Sequence, residues 1–224
     1  FLLMIVGETK DYVAVFKPNF AYFEVLGASG VEVLKELIQK IPQGIPVIGD
    51  AKRGDVGHTA QMYARSVFET IGCDAVTVTP YQGEDALRPF FDYTDRGVFV
   101  LCLTSNPGAV DFQLPDLHLQ VAKKVQEWNV SGNAGLVVGA TRSDKIAAVR
   151  KISGQMPFLI PGVGSQRGEL KNTLLFAEDG SKIPYLINAS RSILYASSGE
   201  DFAQQAGNAA KELRDQINLC RSFL

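Results

Sequence analysis

Four charged side chains in two short segments could do electrostatic chemistry together. The denser segment is Val47-Ile48-Gly49-Asp50-Ala51-Lys52-Arg53-Gly54-Asp55-Val56-Gly57-His58-Thr59. Residues i and i+2 of a β-strand share a face, so Asp50 and Lys52 project together. Asp55 follows on the turn that leaves the strand. Val13-Ala14-Val15-Phe16-Lys17 carries another lysine to the same end of the preceding strand. Lys17, Asp50, Lys52 and Asp55 thus form an array of alternating sign, each charge favoured by opposite neighbours. A structural ion-pair network is the alternative, although two carboxylates and two ammoniums are costly to desolvate for stability alone. Charges at the C-terminal ends of strands also stand where α/β folds bind ligands.

Three loops supply uncharged and anion-binding groups. Pro161-Gly162-Val163-Gly164-Ser165-Gln166-Arg167-Gly168 follows a strand directly, and its glycines let backbone N–H groups approach an anion. Asn188-Ala189-Ser190-Arg191-Ser192 ends the last strand, and the planar fork of Arg191 suits phosphate oxygens. Loops after the last two strands of a (βα)8 barrel often build a phosphate site. Thr104-Ser105-Asn106-Pro107-Gly108-Ala109 offers hydroxyls and an amide that either bond a polar ring or cap a turn. His58 and His118 lie far apart without metal-ligand spacing, and Cys73, Cys102 and Cys220 form no CxxC pair. No metal site is expected.

The elements that must position these groups alternate. Continuous apolar runs at Val13–Lys17, Val47–Lys52, Ala75–Thr79, Gly97–Thr104, Gly135–Val138, Phe158–Pro161 and Tyr185–Ala189 read as parallel strands buried on both faces. Helical patterns lie between them at Val31–Ile41, Thr59–Ile71, Leu117–Trp128 and Asp144–Lys151, with an amphipathic helix at Asp201–Cys220. Two α/β architectures fit: an open doubly wound sheet, or a closed (βα)8 TIM barrel whose first strand is absent from the chain. The chain opens instead on the helix-like Phe1–Val6. No linker or low-complexity tract divides residues 1–224, which predicts a single domain.

Composition narrows the function. The 224 residues are 46% hydrophobic and 21% charged, which excludes disorder and collagen-like structure as overall descriptions. Twenty-two Lys and Arg against 24 Asp and Glu give a net charge of −2, without the basic excess of a nucleic-acid binder. Apolar runs are strand-length, so no membrane-spanning helix is expected, and FLLMIV lacks the flank and cleavage site of a signal peptide. Three widely spaced cysteines fit a reducing, cytoplasmic compartment.

Taken in order, FKPNFAYFE, GDAKRGDVGHTA, TPYQGEDAL, TSNPGA, PGVGSQRGEL and NASRSILYASSGEDF resemble the orotidine 5′-phosphate decarboxylases, in particular their bacterial branch. The resemblance runs over essentially the whole chain. It implies a homodimeric (βα)8 barrel that converts orotidine 5′-monophosphate to UMP and CO2, the last step of de novo pyrimidine synthesis, without metal or organic cofactor. By the same resemblance Lys52 is the acid that protonates C6, Asp50 faces the departing carboxylate, and Lys17 holds Asp50 and a ribose hydroxyl. Asp55 and Thr59 would reach the neighbouring subunit's site. Ser105 would bond the pyrimidine ring. Gln166 and Arg191 would clamp the phosphate, with Pro161, Gly162, Gly164 and Ser190 lining it.

The resemblance has two departures. The family's further Asp, at the end of its first strand, precedes the first residue here, and an expected longer chain would carry it. His58 also stands where Asn is common. Two other readings stay in view. Magnesium-dependent sugar-phosphate aldolases and decarboxylases share the DxKxxD strand but place an acidic metal ligand where this chain has Lys17. A non-catalytic nucleotide-binding barrel would keep the phosphate loops and lose the charges near the base.

Overall fold

The computed structural model describes residues 1–163, 167–177 and 185–222. Among them, β1 (Ile48–Arg53), β2 (Ala75–Val78), β3 (Gly97–Leu103), β4 (Ala134–Val138), β5 (Phe158–Pro161) and β6 (Tyr185–Asn188) form one sheet. All neighbours are parallel and stand in sequential order from β1 to β6. A doubly wound sheet needs a reversal of strand order, and none occurs here. Sequential parallel winding with a helix in each crossover is the pattern of a (βα)8 barrel. The crossover helices are Gly57–Arg65, Glu84–Phe91, Leu117–Trp128, Ser143–Ser153 and Arg167–Ala177.

The segment expected as a strand at Val13–Lys17 runs parallel to β1 but is not a continuous ladder. Two bridges hold it there, Phe16 with Val47 just before β1 and Asn19 with Asp50 within it. Phe16 N–H donates to Pro46 O at 3.1 Å, Phe16 O accepts Ile48 N–H at 2.9 Å, and Pro18 O accepts Asp50 N–H at 2.9 Å. Phe20 N–H then donates to Asp50 O at 3.2 Å. The bond missing from the series is the one Pro18 would donate, because proline has no N–H.

Two apolar layers follow from the two faces of the strands. Val76, Val78, Val98, Val100, Leu136, Val138, Phe158 and Ile160 face the helices and pack with Phe68, Leu87 and Phe90. The alternate residues Ile48, Ala75, Phe99, Val137 and Leu159 form a second cluster on the inner face, edged by Val15, Leu101 and Leu186. Gly135 gives the Phe99 ring its space, since a Cβ there would lie 2.7 Å from the ring. Two residues further along their strands, Val15, Ile48 and Ala75 are succeeded by Lys17, Asp50 and Thr77. The apolar inner layer is therefore capped by polar groups at the C-terminal strand ends.

The helix-like opening segment forms Leu2–Thr9 and packs on the C-terminal helix Phe202–Arg221. Their approach is close: a Cβ on Gly207 would stand 2.8 Å from Glu8 O. The helix expected over Thr59–Ile71 ends as an α-helix at Arg65 and continues as a π-helical turn, Ser66–Ile71, closed by Gly72 at φ 87°. Among the described residues no helix is long and apolar enough to cross a membrane.

Candidate active site

Asp50 is the centre of the polar layer. Its Oδ2 accepts from Lys17 Nζ at 2.5 Å and its Oδ1 from Lys52 Nζ at 2.5 Å. Thr77 Oγ1 also donates to Oδ1, at 3.0 Å. The Lys17 and Asp50 side chains are only 10% and 11% exposed, whereas that of Lys52 is 50% exposed. Burial pushes the Asp50 carboxyl upward. The charge of Lys17, the hydrogen bonds from Lys17 and Lys52 and the charge of Lys52 outweigh that push, holding the group below its ordinary value. Asp50 is thus a fixed anion at the base of the site, and Lys52 carries its ammonium toward the open side.

Lys52 reaches this position through an irregular backbone. Gly49 pairs with Val76 and Arg53 with Val78, so β1 carries extra residues between two rungs of the ladder. Within this bulge Lys52 has φ 48°, the left-handed region that costs a non-glycine residue about 1–2 kcal/mol. Its N–H leaves the backbone ladder and donates to Thr77 Oγ1 at 3.1 Å. Beyond the bulge, Arg53 pairs with Glu24 and lies over the Tyr63 ring at 5.3 Å. Gly54 presses on the residue just after β2, where a Cβ would meet Thr79 Cγ2 at 2.7 Å.

Asp55 does not join this array within the chain. Its Oδ1 accepts the Val56 N–H at 2.8 Å, and it has no ion-pair partner among the described residues. Within one chain, three of the four expected charges come together: Lys17, Asp50 and Lys52. Asp55 stands on the turn between β1 and the Gly57–Arg65 helix. Thr59 lies exposed on that helix.

The loop after β3 meets the loops after β4 and β5. A Cβ on Gly139 would fall 2.7 Å from Ser105 N, and one on Gly162 would fall 3.4 Å from Ser105 Oγ. Ser105 thus sits between two glycines, and Gly162, at φ 84°, makes the turn that follows Pro161. Thr104 N–H donates to Gln113 Oε1 at 2.7 Å while Gln113 Nε2 donates to Thr104 Oγ1 at 2.9 Å, fixing the base of the Ser105 loop. Asn188 pairs in register with Pro161, which brings the Ser190–Arg191 turn beside the end of β5. Ser190 and Arg191 are exposed. Gly164 and Gln166 lie outside the described residues. No group of three or more His, Cys, Asp or Glu suited to a metal ion occurs among the described residues.

This geometry has relatives. A sequence profile of the orotidine 5′-phosphate decarboxylase / HUMPS family matches residues 2–206. The chain belongs to this family. It is 47% identical over 226 aligned residues to the orotidine 5′-phosphate decarboxylase of Dehalococcoides mccartyi, covering 97% of this chain and 84% of that protein. It is 49% identical to the enzyme of that name from Roseiflexus castenholzii, covering 97% and 82%. Among solved structures, Leishmania donovani OMP decarboxylase superposes with a TM-score of 0.90 at 41% identity, covering 99% of this chain and 86% of that one. The fold is the TIM barrel of the orotidine 5′-phosphate decarboxylase / HUMPS family.

Two residues of this site, Thr77 and Gln113, carry no motif in the sequence. Thr77 is concealed in the run Ala75–Thr79, where a β-branched hydroxyl residue between valines looks like ordinary strand composition. Its position two residues beyond inward-facing Ala75 is the signal that could have found it.

Proposed function

We propose that the protein decarboxylates orotidine 5′-monophosphate to UMP and CO2, the last step of de novo pyrimidine synthesis, using the Lys17–Asp50–Lys52 trio without a metal. The observation that carries this reading is the trio itself: a buried carboxylate held between two ammoniums, one of them half-exposed at the mouth of the barrel. The substrate class comes from the decarboxylase relatives.

In this mechanism the bond from C6 to the carboxylate breaks, CO2 departs, and the electron pair stays on C6. No ring group takes up that charge, so a fixed ammonium must stabilise it. Lys52 supplies the ammonium and gives its proton to C6, and solvent restores the proton afterwards. Asp50 faces the substrate carboxylate and disfavours it relative to neutral CO2. Lys17 holds Asp50 and a ribose hydroxyl. Ser105 bonds the pyrimidine ring, and Arg191 with the Pro161–Gly162 and Ser190 backbones takes the phosphate. Gly164 and Gln166 complete that clamp. Phosphate binding assembles the reacting geometry, so remote contacts act on the chemical step.

Asp55 and Thr59 act in the site of a second copy. Asp55 lacks an ion-pair partner among the described residues, and its neighbourhood exposes Val56, Met62 and Tyr63. A reducing cytoplasmic setting accords with the buried free thiols Cys73 and Cys102.

The test is turnover of orotidine 5′-monophosphate by the purified protein in EDTA, followed as UMP formation. The expected result is rapid turnover that Lys52→Ala abolishes while leaving UMP binding largely intact. A folded protein that makes no UMP, or a Lys52→Ala variant with near-normal kcat, overturns the reading. Turnover of a sugar phosphate that appears only with added magnesium would establish the aldolase chemistry instead.

A further inference from the structure

Thr77 holds both ends of the charged pair through one oxygen. The residue is 2% exposed, and its side chain lies between Asp50 and the bulge of β1. The Lys52 N–H donates to Thr77 Oγ1 at 3.1 Å. Thr77 Oγ1 donates to Asp50 Oδ1 at 3.0 Å. Accepting from the peptide orients the hydroxyl proton toward the carboxylate, so the two bonds have fixed and compatible polarity. We propose that Thr77 is a positioning residue for the decarboxylation proposed above, locking the Lys52 backbone and the Asp50 carboxylate to one another.

Without Thr77, Lys52 loses what holds its backbone. A lysine at φ 48° persists only where its surroundings over-determine that conformation. The bulge has removed the Lys52 N–H from the ladder, and Thr77 supplies the acceptor. Without the hydroxyl the peptide N–H loses its partner, the carboxylate loses one of three side-chain donors, and the Lys52 backbone gains freedom. The ammonium then departs from the separation of 2.5 Å that it keeps from Asp50. Misplacement of a reacting group by about 1 Å is enough to cost on the order of 100-fold in rate. Thr77 touches neither C6 nor the phosphate in this assignment, so its loss acts on kcat and spares KM.

The variants are Thr77→Val, which keeps the shape and removes the hydroxyl, and Thr77→Ser, which keeps the hydroxyl. For Thr77→Val we expect kcat to fall by about tenfold to 100-fold with KM nearly unchanged. Thr77→Ser should recover most of the loss. In parallel, amide hydrogen exchange at Lys52 should quicken at least about tenfold in Thr77→Val, with the Val76 and Val78 amides unaffected. A Thr77→Val enzyme with wild-type kcat overturns the proposal. So does one whose kcat falls while exchange at Lys52 is unchanged, because the loss would then not run through the Lys52 backbone. If the wild-type protein does not decarboxylate orotidine 5′-monophosphate, the proposed function fails and the exchange measurement alone decides the role of Thr77.

Discussion

Replacing Lys17 by Met removes one ammonium and keeps most of the aliphatic stem, so the consequence is electrostatic. Lys17 and Asp50 are 2.5 Å apart and their side chains are about nine-tenths buried. At an effective dielectric of about 20, unit charges at 4 Å attract by about 4 kcal/mol, part of which desolvation offsets. Removing one partner leaves the other charge buried, which costs about 3–5 kcal/mol. Lys52 and Thr77 still hold Asp50 Oδ1, which places the expected loss near the lower end, about 3 kcal/mol. That is a substantial part of the ~5–15 kcal/mol typical of a domain.

The loss must depend on pH in a definite direction. Asp50 in the native protein is held below its ordinary value of 3.8, so its contribution is present above the unfolded value and is lost as pH falls through the lower folded one. In Lys17→Met the largest opposing charge is gone while burial still pushes the carboxyl upward. The folded variant then takes up a proton at higher pH than the wild type, which relieves the buried charge. Urea denaturation at pH 7 and near pH 4 should show a deficit that is largest at pH 7 and shrinks on acidification. Combining Lys17→Met with Asp50→Asn should recover much of the deficit, because the anion that lost its partner is gone too. A deficit under about 1 kcal/mol at pH 7, or one that does not change with pH, would mean that Lys17 does not hold the buried Asp50 anion.

Three other outcomes follow from single features. Arg191→Ala should lower kcat/KM for orotidine 5′-monophosphate at least about tenfold, since phosphate contacts assemble the reacting geometry; an unchanged kcat/KM removes Arg191 from the site. Arg150 is 2% exposed, donates to Ala177 O, Gly154 O and Met156 O at 3.0, 3.1 and 2.7 Å, and lies 3.5 Å over the Phe158 ring. Arg150→Met should cost about 2–4 kcal/mol in denaturant titration without altering KM. Burial pushes the Cys73 and Cys102 thiols up to about 12, so at pH 8 a thiol reagent should label Cys220 quickly in the native protein and the other two only on unfolding.

How far the sequence could be read depended on whether a feature was local. Strand positions were legible because parallel strands buried on both faces are unbroken apolar runs, and β3 and β5 lie where those runs lie. The Phe16–Asn19 segment shows where a run fails as evidence, since one missing proline donor divides it into bridges. Periodicity alone left the winding open, because a run of strands and helices is the same for either architecture until strand order is known; the resemblance carried by the motifs implied the barrel, and the sequential order from β1 to β6 agrees with it. Asp50 and Lys52 do come together, yet alternation along a regular strand is not the reason. A bulge intervenes between Gly49 and Arg53, and no residue in DAKRG announces it. Asp55 was legible as a residue of the turn after the strand, but its distance from Lys17 and Asp50 depends on the path of the chain past Gly54, which packs closely on Thr79 just beyond β2.

The inner face explains why so costly an arrangement can persist. Its apolar layer of Ile48, Ala75, Phe99, Val137 and Leu159 is a rigid floor, and the trio begins one alternation above it. Asp50 is therefore fixed by a strand that is already packed, and Lys17 by the segment bridged to it, before any substrate arrives. An array assembled from flexible surface side chains would have to be ordered in each turnover, and water would screen it. Here the strained Lys52 backbone and the buried Asp50 are stabilised by burial elsewhere in the barrel. The consequence is that mutations in the floor should disturb chemistry as well as stability. Phe99→Leu, which opens space next to Gly135 below the polar layer, should lower kcat by more than the fraction of protein unfolded accounts for. Equal losses in activity and in folded fraction would show that floor and trio are independent.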